Sequence, residues 1–286
     1  MGPDPSALAA FARRKEDAAR SARFERFETL LDNSAAFPLE TIGCPLTDAL
    51  MDGPFFQSSP PAAARPVISA VFVQSVGGNT GVDDPSALGG GMTDKHLIYE
   101  GLSRVSADAV MAGANTIRDG SVVFSVWHPT LVELRHAFDK PRHPVQIVVT
   151  STGDLAIANG LLFNEASLDV VILTTDRGAA TLAEDVRARP WITVISSGDE
   201  PDLQVYAERL FGLGIVRVSA VGGPTLVTGL IDAGLVTDLY LTTSPIEGGR
   251  PGTPVYEGTR PPPRDLVVRK RSSEGIAFEH FLVRGR

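Results

Sequence analysis

The stretch 215–244 limits the choice of fold more than any other part of the chain. Its apolar, alternating start (215–220) reads as a buried strand. The run breaks at Gly222-Gly223, restarts as a helix with Pro224 in its first turn, and ends near Gly234. A second β-rich run, 236–244, follows. Strand, glycine pair, helix and strand make a βαβ unit, in which the glycines lie where a parallel sheet's carboxyl edge meets a helix N-terminus. Glycines let a backbone approach a ligand, and the free N–H groups of the next turn favour an anion. A βα loop also carries Gly-Gly for steric reasons alone, so both roles stay open for this turn.

The rest of the chain supplies partners for that unit. Residues 5 to about 31 read as helical, with Leu8, Phe11, Phe24, Phe27, Leu30 and Leu31 on partly helical spacing. The basic cluster Arg13-Arg14-Lys15 reads as a solvated face. From 33 to 66 the pattern is irregular, and 58–66 reads as a linker. The expected division is therefore a helical extension and linker at 1–65, then a main domain at 66–286. That domain opens with a strand at 67–74 buried on both faces. A glycine-rich loop follows through Gly91, either a functional lid or a plain surface loop. Thr93 is the expected N-cap of a helix to about 106. Strands are expected at 108–112, 145–150, 170–175 and 191–196, and helices at 129–138, 178–189 and 202–213. Runs at 266–272 and 276–283 close the chain as a hairpin about Ser273-Glu-Gly275. The fold class is α/β: a mostly parallel sheet with both faces covered and an antiparallel C-terminal edge.

Composition narrows the partners. A net charge of −8 argues against general binding to a nucleic-acid backbone, though it leaves room for a local basic pocket. Cys44 is the only cysteine, which rules out an internal disulfide or a thiolate metal cluster and fits a reducing cytoplasm. No apolar run has membrane-spanning length, and the N-terminus shows no hydrophobic signal core. No metal site is expected.

Three strand ends rich in glycine or hydroxyl groups, 113–116, 150–152 and 222–225, converge on one crevice in an open α/β sheet. Backbone N–H groups and small hydroxyls at helix starts suit a pyrophosphate. Ser151 and Thr152 are placed to hold a further phosphate, such as that on an NADP ribose. No Gly-x-Gly-x-x-Gly follows a strand, and Gly-x-Ser-x-Gly, His-Glu-x-x-His and Walker sequences are missing. One cysteine excludes the zinc deaminase pattern. Among the histidines His96 is the better acid–base candidate, a structural role being its alternative; His143 reads as a surface-loop residue.

Ala107-Asp-Ala-Val-Met-Ala-Gly-Ala-Asn-Thr-Ile-Arg118 resembles the pattern Ala-Asp-Ala-x-x-x-Gly-x-x-Thr of a known family. Val221-Gly-Gly-Pro-Thr-Leu226, with Ala233-Gly-Leu-Val-Thr-Asp-Leu239 and Ser244-Pro245, resembles its Glu-Gly-Gly-Pro-x-Leu and later Ala-Gly-Leu-Val-Asp-Glu-Leu. The family is the reductase domain of bacterial riboflavin-biosynthesis deaminase–reductases, and the match spans roughly 66–284. The resemblance implies a three-layer α/β/α fold of the dihydrofolate reductase type and NADPH as cofactor. It implies Gly113, Thr116, Gly222, Gly223 and Thr225 near the phosphates, and Ser151 and Thr152 near the 2′-phosphate. It further implies a homodimer that reduces a phosphoribosylamino-pyrimidine at its ribose carbon, opening the sugar to a ribityl chain.

Two positions depart from the family pattern. Where it has Ser-Leu-Asp-Gly, this chain has Ser75-Val-Gly-Gly78; where it has Glu-Gly-Gly, this chain has Val221. Both replaced groups are carboxylates, the residues most easily cast as proton donor or substrate orienter. Ser75, Asp83, Asp84 and Asp94 are the candidates left for catalysis. Three readings follow: an NADPH-dependent reductase of a pyrimidine or pterin-like heterocycle, a non-catalytic nucleotide-binding protein, or a reductase of specialised metabolism.

Overall fold

The computed structural model describes residues 6–60, 64–82, 85–118 and 122–284. Helix α1 (Ser6–Ser21) lays Leu8, Phe11 and Ala19 against Val123, Trp127 and Leu168. The Phe11 and Trp127 rings meet edge to face, with centroids 5.6 Å apart. The helix expected to reach Leu31 stops at Ser21, and Phe27–Asp32 forms strand β1 instead. Phe24, Phe27 and Leu30 keep a spacing of three that imitates a helix face. Yet Phe27 is buried beside Phe278 while Leu30 is 54% exposed, which one helix face does not produce.

The stretch expected to be irregular is also structured. It holds β2 (Leu39–Ile42), α2 (Pro45–Met51) and β3 (Phe55–Ser58), with β2 and β3 paired antiparallel as a small second sheet. Each is too short to show a period in sequence. Ile42, Met51 and Phe55 join the same core as Phe27. Residues 61–63 of the expected linker lie outside the described residues.

Strand β4 (Val67–Gln74) sends Ile68, Ala70 and Phe72 to one face of the main sheet and Val71 to the other. Helix α3 spans 91–105. It is α-helical at Gly91–Thr93 and Ser103–Val105 and has a π-helical middle, Asp94–Leu102, in which Gly101 is non-helical (φ −123°, ψ −110°). Thr93 therefore lies inside the helix rather than capping it, and its hydroxyl accepts the N–H of Glu25 at 2.9 Å. The remaining elements fall within a few residues of their expected positions. They are β5 (Ala109–Gly113), α4 (Pro129–Ala137), β6 (Val145–Val149), β7 (Val170–Thr174), α5 (Asp176–Val186) and β8 (Ile192–Ser196). Then come α6 (Leu203–Gly212), β9 (Arg217–Ala220), α7 (Pro224–Asp232), β10 (Val236–Thr243), β11 (Arg264–Ser272) and β12 (Ala277–Val283).

The main sheet has ten strands in the order β1-β11-β12-β10-β4-β9-β5-β6-β7-β8. From β10 to β8 the pairings are parallel; β12, β11 and β1 add an antiparallel edge. One core lies under α2, α3 and α4, the other under α6 and α7. The closing hairpin is present as expected, and β1 extends it from the far end of the sequence. Among the described residues no helix is long and apolar enough to cross a membrane.

The strand assignment for β1 makes opposite demands on neighbouring apolar residues. Phe27→Ala should cost about 3–5 kcal/mol of unfolding free energy, while Leu30→Ala should change it by less than about 0.5 kcal/mol. Urea unfolding of both variants checks this; equal losses would restore a buried helix face.

Candidate active site

The carboxyl end of the parallel strands is built on two glycine turns. Strands β5 and β9 pair through Met111 and Ala220, and the Val221 N–H donates to the Met111 carbonyl at 2.9 Å. Gly222 thus leaves the sheet against the start of the other turn. A Cβ on Gly222 would stand 2.9 Å from the Gly113 nitrogen and 3.3 Å from the Ala112 Cα, so the chains touch because no side chain intervenes. Gly113 and Gly223 differ: a Cβ on either would meet nothing within 4 Å. Gly223 is extended (φ −62°, ψ 166°), so its backbone angles do not demand glycine. It caps α7 without a side chain, and Pro224 gives up only an N–H that the helix does not need. The open space at Gly223 and the free N–H groups of the first turn form a cradle for an anion.

The other residues expected around a dinucleotide sit in two places. Thr116 is half-buried in the 3₁₀ turn Ala114–Ile117 directly after Gly113. The Thr225 hydroxyl donates to Glu257 Oε2 at 3.0 Å, so its backbone N–H is what remains for a ligand. Ser151 and Thr152 follow β6 with exposed side chains. Their turn is locked onto α5: the Thr175 hydroxyl donates to the Ser151 carbonyl at 2.8 Å and accepts the Gly178 N–H at 3.1 Å. Arg177 is exposed in the same first turn, next to Asp176, and is the first cation to follow these hydroxyls in the sequence.

The catalytic candidates part company. Asp83 and Asp84 lie outside the described residues. Ser75 is buried and forms the turn after β4, exchanging its N–H with the Asn79 carbonyl at 3.0 Å and accepting the Asn79 N–H at 3.4 Å. Asp94 is 5% exposed in the first π turn of α3. Burial pushes its carboxyl up to about 6, and the Glu100 charge adds to the rise. The Thr242 hydroxyl near the end of β10 opposes the shift, without completing a full hydrogen bond. His96 is buried and paired with Glu100, Nδ1 to Oε2 3.1 Å, and Glu100 also pairs with Lys15 of α1. His143 is half-buried rather than on an open loop. Its Nδ1 lies 2.9 Å from the Ser125 hydroxyl, and burial beside Arg142 pushes it down to about 4.

Tyr99 and Asp108 make contacts that the single-sequence pattern does not expose. Tyr99 on α3 brings its hydroxyl 3.5 Å from the Val221 carbonyl, and Arg104 lies over its ring at 4.6 Å. Tyr99 looks like an ordinary core aromatic in sequence; only Gly101, breaking the helical run, hints at a local change of pitch. Asp108 of the Ala-Asp-Ala motif sits at the opposite edge of the sheet. Its Oδ2 accepts the N–H groups of Val216 and Arg217, both at 2.8 Å, and Lys140 pairs with Oδ1.

A model of the RibD C-terminal domain family matches residues 66–277. The chain belongs to that family. It is 27% identical over 195 residues to the 2,5-diamino-6-ribosylamino-4(3H)-pyrimidinone 5′-phosphate reductase of Methanothermobacter thermautotrophicus, covering 68% of this chain and 85% of that one. A protein of the same name from Archaeoglobus fulgidus is 26% identical over 156 residues, 54% of this chain and 70% of its own. Among solved structures, a pyrimidine reductase-like protein from Corynebacterium diphtheriae aligns with a TM-score of 0.65 at 19% identity, over 76% of this chain and 92% of that one. The Saccharomyces cerevisiae riboflavin biosynthesis reductase Rib7 aligns with a TM-score of 0.55 at 14% identity, over 79% and 93%. The fold is the dihydrofolate reductase-like one, and the RibD-domain protein is an oxidoreductase.

Asp94 and Gly222 give two measurable consequences. Between 3.8 and about 6 the native protein holds on Asp94 a proton that the unfolded chain has lost. Stability should therefore fall as pH rises through that window and level off above it. Asp94→Asn should flatten the fall, read as urea midpoints across the same range; an unchanged slope assigns it to other groups. Gly222→Ala should cost about 1–3 kcal/mol by overpacking, whereas Gly223→Ala should leave the melting temperature near that of the parent.

Proposed function

We propose that the protein is an NADPH-dependent reductase of a ribosylamino-pyrimidine phosphate, the substrate class in the names of its archaeal relatives. The observation that carries this reading is the open space at Gly113 and Gly223, beside the free N-terminus of α7, in a member of a reductase family. Gly113, Thr116, Gly222, Gly223 and Thr225 would hold the pyrophosphate. Ser151, Thr152 and Arg177 would take the 2′-phosphate, an arginine being suited to a phosphate's paired oxygens.

When bound in this cradle, a nicotinamide cofactor would supply a hydride for C1′ of the substrate's ribose. The C1′–ring oxygen bond breaks, its electron pair stays on the oxygen, and the oxygen takes a proton, so the sugar becomes a ribityl chain. Asp94, kept protonated to about pH 6 by burial, holds a proton at this end of the sheet. The N-terminal turn of α7 would hold the cofactor's phosphates and so orient it. A cytoplasmic homodimer is part of the same proposal and rests on the family resemblance; sedimentation of the purified protein tests the dimer.

Mixing the protein with NADPH and either the 2,5-diaminopyrimidinone or the 5-amino-uracil form of the substrate tests the assignment. One NADPH should be oxidised per product, and the product should gain two hydrogens by mass. Tight NADPH binding with no turnover of either compound would favour the non-catalytic reading. Turnover of another heterocycle alone would favour specialised metabolism.

Two variants address the cofactor site. Gly223→Val should weaken NADPH binding at least tenfold, about 1.4 kcal/mol, in a protein that still folds. Arg177→Ala should erase most of the preference for NADPH over NADH. Calorimetric titration of both dinucleotides measures each effect, and a parent that binds the two equally would remove the 2′-phosphate assignment.

A further inference from the structure

The loops after β4 and β10 are tied to each other beyond the sheet's carboxyl edge. The Val76 N–H donates to the Ile246 carbonyl at 3.1 Å, Thr80 N–H to Thr253 O at 2.7 Å, and Arg250 N–H to Gly81 O at 2.8 Å. Gly81 N–H donates to the Thr253 hydroxyl at 2.8 Å, and Gly252 N–H to Asn79 Oδ1 at 3.1 Å. The two loops therefore form one body, and within it Gly77 faces Glu247. A Cβ built on Gly77 would stand 2.9 Å from Glu247 Oε2, 3.5 Å from Asn79 Nδ2 and 3.8 Å from Ser75 Oγ. Gly77 is not among the residues with positive φ, so its backbone admits a side chain. What fills the space is a carboxylate from the other loop.

Position 77 is the one at which the family pattern Ser-Leu-Asp-Gly carries its acid. We propose that Glu247 supplies from the β10 loop the carboxylate that position 77 lacks, and that it positions the substrate of the reductase. This rests on the functional reading above. Glu247 is exposed, and it has no hydrogen-bond or ion-pair partner among the described residues, so its oxygens are free to accept. A carboxylate repels phosphate and accepts from hydroxyl and amino groups. Glu247 thus faces the ribose hydroxyls or the ring amino groups, and the phosphate end of the substrate points elsewhere. Asn79 Nδ2 and Ser75 Oγ lie on the same side of Gly77 and complete a polar rim.

The test uses the full-length protein with NADPH and the ribosylamino-pyrimidine phosphate. Glu247→Gln should raise KM for the pyrimidine at least tenfold and leave KM for NADPH and the melting temperature unchanged. Moving the acid back, as Gly77→Asp in a Glu247→Ala background, should restore KM to within about threefold of the parent, roughly 0.7 kcal/mol. An unchanged pyrimidine KM in Glu247→Gln, or a double variant no better than Glu247→Ala alone, would overturn the proposal. So would equal changes in both KM values, which mark a loop that has merely lost its shape. A parent protein that neither binds nor reduces the pyrimidine overturns the functional reading itself, and this proposal with it. An active parent with an indifferent Glu247 overturns the proposal alone.

Discussion

The backbone of Gly222 rests directly on that of Ala112 and Gly113, and the geometry of the carboxyl edge follows from this contact. Any side chain at Gly222 would part the two turns and carry α7 away from β5. At the other end of the same strands, the Asp108 carboxylate holds the first amides of β9. A charged acceptor satisfying two backbone donors is worth more than an ordinary neutral hydrogen bond. The pair β5 and β9 is thus fixed at both ends, by close backbone packing at one and by a charged acceptor at the other. The motif residues Asp108 and Gly113, five residues apart, act on opposite edges of one sheet.

Electrostatics divides the carboxyl edge into regions. The first turn of α7 and the exposed Arg177 favour negative charge. Asp94 sits where burial resists ionisation, in the first turn of the π-helical stretch of α3. A π-helical segment shifts the phase of the side chains that follow it. Here the segment carries Tyr99 to the Val221 carbonyl while Glu100, paired with His96, reaches Lys15. One helix consequently serves the glycine turn on one side and anchors α1 on the other.

Much of the fold was legible because the elements from β4 onward are long apolar runs broken by glycine or proline. The unit 215–244 shows strand, turn, helix and strand in one reading, and the structure places them as β9, α7 and β10. Residues 27–58 were not legible in the same way. Phe24, Phe27 and Leu30 fall on a spacing shared by helices, and strands of four to six residues give too few alternations to outweigh it. Pairing with β11, over two hundred residues away in sequence, decides the matter. The site was partly legible for a similar reason. Glycines announce a turn, but that Gly222 packs and Gly223 faces open space depends on which neighbouring turn lies beneath each. A carboxylate brought in by another loop leaves no mark at the position it serves.

Strand β1 is one of the two edge strands of the main sheet, and among the described residues its partner there is β11. During synthesis Phe27 emerges long before the surface meant to cover it, which includes Phe278. Until then the segment must remain unpaired while β5 to β8, each paired with the next in sequence, assemble. An early-made sticky strand with a late-made partner ties completion of the sheet to synthesis of β11. A product cut short before β11 would leave the β12 side of the sheet open, a template for pairing with other chains.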